Sequence, residues 1–571
     1  MKKIIFTKIS ATLLLAGSLA SCSSDYLQVE PETSVASSTV VATTEAAQRA
    51  IWGICNAMQT QWGSSLNQTS GEAWLSTVCN DSFGPDYITN FWQSSMGQVG
   101  YNWGNMRNQL NYFNLMPWAY GYAMISRANE ILAGIDNATG SEADRNFIKA
   151  QAYTFRAYGY FRLLQFYAPR WEDSNNGEKY CVVLRTEPGT DPSPLVKMNE
   201  VLTLIYSDLD NAIALYTSSG KNRKYKWEPN INVAYGTYAR TALLKHDWPK
   251  AQTMAQNARQ GFQIMDNETY MSGFAYDNND NIWASTADAA DLYYWSHGSH
   301  YACNGRYVQS WQMGAGAISM NLYRLLDPND IRRKLYFTPD KLEVIRNNPT
   351  FAKNVEGLTE ADFWRSANVQ TNNIMNVMSG KLRMAAFAYH QIAAANNPVS
   401  KEFYYTYPYM TVANNQATLY LTPFGAQYKF WGIDQYGTNV YPYMRSTEMC
   451  LTEAEAAYMN GDETTAIARL KEVNDKRIPG YTCNKTGQDL LDEIRLCRRI
   501  ELWGEGFSFT DFKRWNLPCI RTAWVENDPT SGNQPPTLSK SHPVDENNGW
   551  VFIIHQYETQ YNSAIDMSLL D

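Results

Sequence analysis

The sequence predicts an all-α fold in which antiparallel helical hairpins stack into a scaffold carrying long, irregular, aromatic-rich loops. Three observations predict it. Several stretches repeat apolar residues at helical spacing. Two segments far apart in the chain share one helix–turn–helix plan. Both place small residues 12 positions apart, a spacing that lets paired helices approach closely.

The amino terminus comes first. Lys2, Lys3 and Lys8 form a basic region, residues 9–16 a short apolar one, and Leu19-Ala20-Ser21-Cys22 a small-residue cleavage site. The apolar run is too short for a bilayer, which takes roughly 20 residues. It reads as a secretion signal over residues 1–21. A cysteine directly after the small residues has the form of a lipobox, so Cys22 is the expected acylation site. Acyl chains, at about 0.8 kcal/mol per buried methylene, would hold the chain on a membrane without a spanning helix. Residues 22–44, rich in Ser, Thr and Val, read as a tether, and residues 45–571 as one domain.

The helices follow in order. Residues 118–135 turn Tyr122, Ile125, Ala128, Ile131 and Leu132 to one face. Residues 145–167 carry Phe147, Ala150, Phe155, Tyr158, Phe161, Leu164 and Phe166 before Pro169 stops them. Residues 199–215 turn Val201, Ile205, Leu209 and Ala212 inward. Residues 232–260 then form a hairpin turning at His246-Asp247-Trp248-Pro249, with Ala239, Ala251 and Ala258 at the close contacts. Residues 447–477 repeat it, turning at Asn460-Gly461-Asp462, with Ala454, Ala466 and Val473 in the matching places. Tetratricopeptide-like hairpins are thus expected near 117–167, 199–260 and 443–477. A unit of this kind buries its face only by stacking on neighbours.

Composition narrows the function. The formal net charge is −8, and removing the three signal lysines makes it more negative. No basic stripe exists, which argues against nucleic acid as a partner. Nine cysteines include no Cys-x-x-Cys, and no disulfide is assigned. No Gly-x-Ser-x-Gly, His-Glu-x-x-His or phosphate-binding glycine loop is present. Glycoside hydrolysis, the remaining enzymatic alternative, needs two opposed carboxylates roughly 5 to 9.5 Å apart.

At this point a family emerges. Arg445, Glu448, Glu453 and Glu455, then Asn460-Gly461-Asp462, then Ala468 to Leu470, Val473-Asn474 and Arg477, resemble the carboxy-terminal hairpin of SusD/RagB proteins. Residues 494–515, IRLCRRIELWGEGFSFTDFKRW, are similar to that family's closing signature through Arg498, Glu501, Glu505, Gly506, Asp511, Arg514 and Trp515. Ser508 departs from it, standing where arginine is usual, and should remove one buried contact. The Glu and Arg residues of the signature read as a structural ion-pair network, not as catalysts. Ser23-Ser24-Asp25 is similar to a surface-export signal of Bacteroidetes-type lipoproteins.

The resemblance implies about four hairpin units forming a rigid back against a SusC-like TonB-dependent barrel in the outer membrane. The chain would act as that barrel's lid and hold an oligosaccharide on its loops, without catalysis. Peptide capture, as in RagB-like relatives, is the alternative. Sugar recognition wants flat aromatic platforms rimmed by polar side chains, and Trp, Tyr and Phe make up 13% of this chain. Two loops concentrate them, and the candidate ligand contacts are Asp81, Trp92, Trp103, Tyr294, Trp295, Arg306 and Trp311. Trp92, within Asn-Phe-Trp-Gln-Ser-Ser, resembles a tryptophan of the aromatic arc in the family's starch-binding founder.

No cofactor is expected. His297, His300 and Cys303 offer zinc-type side chains at three-residue intervals, without a clear fourth ligand. Asp277-Asn278-Asn279-Asp280-Asn281 begins like a calcium loop, with Asp277, Asn279 and Asn281 as candidate ligands. Ile282 stands where such a loop has glycine, and the closing Glu is missing. A solvated turn is the better reading of that segment.

Overall fold

The structure is a computed structural model. It describes residues 41–59, 71–88, 103–271, 274, 276–285, 316–336, 347, 410–413, 416–419, 425, 427, 429–430, 440–523, 525, 528, 530–534 and 539–570. The helices used below are α1 (Thr44–Gln59), α2 (Gly71–Ser76), α3 (Tyr112–Gly134), α4 (Glu142–Tyr167), α5 (Met198–Ser219), α6 (Ile231–Leu244) and α7 (Trp248–Ala258). They continue with α8 (Ser446–Met459), α9 (Glu463–Arg477), α10 (Gly487–Glu501), α11 (Ser508–Arg514) and α12 (Gln556–Tyr561).

The all-α expectation holds. Among the described residues, the strands form only two-stranded antiparallel ribbons. The ribbons used here pair β1 (Tyr180–Val183) with β2 (Leu195–Lys197), and β3 (Asn281–Ala284) with β4 (Pro442–Arg445). No described helix is long and apolar enough to cross a membrane.

Helix ends follow local chemistry. The oxygens of Asn111, Ser141, Asn230, Asp247 and Asp462 accept backbone N–H bonds in the first turns of α3, α4, α6, α7 and α9. Each satisfies a donor that the helix itself leaves unpaired. α3 starts at Tyr112, earlier than the sequence suggested, because Asn111 caps it and Pro117 is tolerated in its second turn. α5 runs on to Ser219, where Gly220 ends it at φ +62°.

Both predicted hairpins form, and α7 packs against α8, so segments nearly 200 residues apart stack as neighbours. Ala239, Ala251, Ala258, Ala454, Ala466 and Val473 are all fully buried. Upstream, α3 packs on α4 and α4 on α5. α3 and α4 cross at a glycine pair: a Cβ on Gly159 would lie 2.9 Å from the Gly121 carbonyl oxygen and 2.9 Å from Ile125 Cγ1. Among the described residues a large apolar cluster draws on the chain from Val41 to Ile554, and a smaller one lies within the second hairpin, around Ala454, Ala466 and Val473. The described cysteines Cys55, Cys79, Cys181, Cys450, Cys483, Cys497 and Cys519 are free thiols.

Candidate functional site

The closing signature lies in a charged interior. Glu501, at the end of α10, meets Arg332 at 3.2 Å, Arg477 at 3.2 Å and Arg445 at 3.4 Å. Glu505 meets Lys429 at 2.6 Å and Arg445 at 2.7 Å. Asp280 takes Arg445 at 2.8 Å, and Asp330 takes Arg332 at 2.7 Å. Each of these four cations thus finds a carboxylate, and all eight groups are buried. Burial works to raise the Glu501 carboxyl, but Arg477, Arg445 and Arg332 hold it far below the usual range.

A second set ties α11 to the hairpins. Arg498 bonds Asp511 at 2.6 Å, and Arg514 grips Glu455 at 2.6 and 2.9 Å. The Trp515 indole donates to Glu455 at 2.7 Å. Arg240 of α6 forms a bidentate pair with Glu448 of α8, at 2.7 and 2.6 Å. The signature's charges are therefore structural, as expected. Ser508 Oγ is buried with no hydrogen-bond partner among the described residues, in line with a lost contact.

Three participants carried no local signal in the sequence: Arg332, Lys429 and Asp280. The first two lie in segments without helical periodicity. Asp280 sits in the calcium-like run, yet its carboxylate accepts from the Thr447 backbone N–H at 2.7 Å and the Thr447 hydroxyl at 2.6 Å. It caps the start of α8.

Two candidate ligand residues are corrected here. Asp81 is 1% exposed, and its carboxylate accepts backbone N–H bonds from Gly506 at 2.8 Å and from Phe507 and Ser508 at 3.2 Å. Burial nevertheless pushes its pKa up to about 7. Gly506 is required beside it, at φ +89°, because a Cβ there would lie 2.3 Å from Ser76 Cβ. Trp103 is also 1% exposed, stacked 3.9 Å from the His542 ring and edge-on to Trp550 at 4.6 Å. Neither faces a surface where a glycan could reach it. Trp92, Tyr294, Trp295, Arg306 and Trp311 lie outside the described residues, as do Cys22, His297, His300 and Cys303.

The calcium-like run forms a turn. The Lys226 ammonium sits 2.9 Å from the Asp277 carboxylate, where a cation ligand set would need the metal. Asn281 turns an N–H donor, not an oxygen, toward the same carboxylate at 3.1 Å. The Asn279 carbonyl accepts from the Gln263 backbone. The segment is a turn closed by lysine.

Beside the ion pairs lies a narrow cleft, with a cavity volume of about 70 Å³, between the ends of α4 and α6, β4 and α11. Its carboxylates are engaged: Glu72 by the Tyr120 and Tyr158 hydroxyls at 2.7 Å, Glu505 and Asp511 by the cations above. Lys513 Nζ donates to the Gln165 and Ala168 carbonyls at 3.0 and 2.8 Å, and burial with nearby Arg170 lowers its pKa to about 7. The paired carboxylates of this wall fix the scaffold.

Comparison with known proteins fits this architecture. The family model described as the SusD family matches residues 242–566, more than half of the chain. A model described as starch-binding, associating with the outer membrane, matches residues 25–243. The chain belongs to the SusD family. Among solved structures it is similar to a SusD-like carbohydrate binding protein from Bacteroides vulgatus, at 21% identity and TM-score 0.66, covering 92% of this chain and 97% of the other. It is also similar to a putative sugar binding protein from Bacteroides vulgatus, at 19% identity and TM-score 0.65, with 92% and 98% covered. A third is a SusD-like carbohydrate binding protein from Bacteroides fragilis, at 15% identity and TM-score 0.60, with 92% and 100% covered. At these identities the likeness is one of fold. No curated protein matches this sequence.

Proposed function

We propose that this chain is a non-catalytic, surface-exposed lipoprotein of the outer membrane that captures an oligosaccharide and delivers it to a SusC-like TonB-dependent transporter, over which it acts as a lid. The carrying observation is the pair of family matches, which together run from residue 25 to residue 566 and include the starch-binding, outer-membrane-associating model. The lipobox at Cys22 supplies the anchor. A back of stacked hairpins locked by buried ion pairs suits a rigid lid, since binding residues concentrate on the loops that a stiff scaffold presents. The spent state of the signature carboxylates favours capture over turnover. Trp92, Tyr294, Trp295, Arg306 and Trp311 are the proposed glycan contacts.

The test is calorimetric titration of the chain lacking residues 1–22 with neutral hexaoses of α-glucan, β-glucan, xylan, mannan and fructan type, and with a pool of peptides. Saturable binding of one glycan class, with the sugar chromatographically unchanged afterwards, is the expected result. Cleavage of the sugar would overturn the non-catalytic reading, and binding of peptides alone would overturn the glycan reading.

A further inference from the structure

Along α3, beside its contact with α4, a second cleft opens with a different character. Its walls are α3 (Tyr122, Ile125, Ser126, Asn129), the loop after β1 (Arg185, Glu187, Gly189, Thr190) and the chain end (Glu558, Tyr561, Asn562). Its cavity volume is about 270 Å³, close to the lower end of the roughly 300 to 1,000 Å³ usual for small-molecule sites. Tyr561, the last residue of α12, is 82% exposed, a large flat ring left in water.

The walls are tied together before any ligand arrives. Asn562, 3% exposed, donates to the Ser193 carbonyl at 2.9 Å and to Glu558 at 3.0 Å, and accepts from the Ser193 N–H at 3.0 Å. Asn129, 1% exposed, donates to the Arg185 and Glu187 carbonyls at 3.1 and 3.3 Å. The Tyr122 hydroxyl donates to the Val183 carbonyl at 2.6 Å and accepts from its N–H at 2.9 Å. Glu558 accepts from the Trp118 indole at 3.2 Å and lies 3.6 Å from Arg185. Three elements distant in sequence thus hold one concave surface in place, and a preorganised site loses little on binding.

The lining selects the ligand. Arg185, Glu187 and Glu558 nearly cancel, which disfavours polyanions such as phosphate backbones. The lining is mixed, with apolar surface from Tyr122, Ile125 and Tyr561 beside the polar groups of Ser126, Asn129 and Thr190. An aromatic face bordered by carboxylate, guanidinium, hydroxyl and amide groups matches a pyranose, with apolar C–H bonds on one side and hydroxyls around its edge. We propose that this cleft is a second carbohydrate-contacting site, which takes one or two neutral sugar units with the Tyr561 ring as platform and Glu187, Thr190 and Arg185 at the hydroxyl rim. It rests on the glycan reading for the class of ligand, and it adds a contact on the hairpin scaffold itself, apart from the aromatic loops.

The experiment is hydroxyl-radical footprinting of the chain lacking residues 1–22, with each of the five hexaoses at millimolar concentration. Oxidation of Tyr561 should fall at least about three-fold with one hexaose. Tyr557, 54% exposed one helical turn away and outside the cleft, should stay unchanged. Tyr561→Ala should weaken calorimetric affinity for that sugar about ten-fold while Tyr561→Phe keeps it, the scale of one lost aromatic platform. Protection at Trp92 or Trp295 without protection at Tyr561 overturns the cleft and leaves the proposed function standing. Protection at Tyr561 alone upholds the cleft and overturns the loop assignments. No protection anywhere overturns both.

Discussion

The hairpin of α3 and α4 and the assembly of α8 to α11 solve one packing problem with different materials. α3 and α4 meet through Gly121, Gly159, Ile125 and Leu163, where absent side chains let the helices approach and aliphatic groups fill the remainder. α8 to α11 meet through Glu455, Arg498, Glu501, Glu505, Asp511 and Arg514, whose charges are almost wholly removed from water. α4 does carry the buried pairs Arg156–Asp208 and Arg162–Glu72, but each is a single link, not a network. An apolar contact tolerates small changes of shape. A buried ion network does not tolerate loss of one charge, because the partner is left without solvation. What separates the two regions is how they fail.

The largest expected effect breaks that contrast or establishes it. Glu501→Gln keeps size and shape but removes the carboxylate shared by Arg332, Arg445 and Arg477. A loss of about 3–5 kcal/mol is expected in urea unfolding. Ile125→Val in the apolar hairpin should cost only about 0.5–1.5 kcal/mol. Equal losses for the two variants would erase the distinction.

Acid sharpens it next. Burial works to raise the Glu455 carboxyl, yet Arg514 overrides it and holds the pKa at about 2, below the usual 4.5. That stabilisation is complete above about pH 4.5 and is lost as pH falls toward 2, worth roughly 3 kcal/mol over the window. His542 adds an earlier step: burial and Arg521 lower its pKa to about 4, despite the Glu546 contact at 2.9 Å. Between pH 6.5 and 4 the unfolded chain binds a proton that folded His542 refuses, whereas folded Asp81, pushed up to about 7, holds one that the unfolded chain takes only near 3.8, so the two steps oppose each other. Melting temperature should stay nearly level from pH 6.5 to about 4.5 and fall steeply below it. Glu455→Gln should lower the midpoint at pH 7 and flatten the steep part. A curve unchanged by that variant would remove Glu455 from the account.

The apolar side has its own probe. Gly159→Ala forces a methyl against the Gly121 carbonyl and Ile125, and should cost about 1–3 kcal/mol through overpacking. A neutral result would mean that the helix crossing can widen. The smallest effect concerns the hairpin turns. Asp462→Ala and Asp247→Ala each remove a helix cap and should cost about 1 kcal/mol in thermal unfolding. Similar values at the two sites would show that the two hairpin copies are equivalent in their turns.

Much of the fold was legible because its causes are local. Ala239 and Ala251, and Ala454 and Ala466, announced two hairpins through spacing alone, and the turns fell at Asp247 and Asp462, which the structure shows as helix caps. The candidate site was less legible. Asp81 and Trp103 were chosen as residues of an aromatic loop, and both serve the interior. A carboxylate looks the same in sequence whether it meets a sugar hydroxyl or the N–H groups of Gly506, Phe507 and Ser508. Asp277, in a run that begins like a calcium loop, likewise meets the ammonium of Lys226.

The sequence by itself determined the long helices, the repeated hairpins and the family. Periodicity, capping and signal patterns act over a few residues, so a linear reading contains them. Only the tertiary structure decided which charges neutralise one another. Arg332, Lys429 and Asp280 meet Glu501, Glu505 and Arg445 across separations of 72 to 169 residues. It also decided that Tyr561, Arg185 and Asn129 share one cleft. Charge pairing and concave surfaces depend on distance in space, and no local preference along the chain encodes that distance.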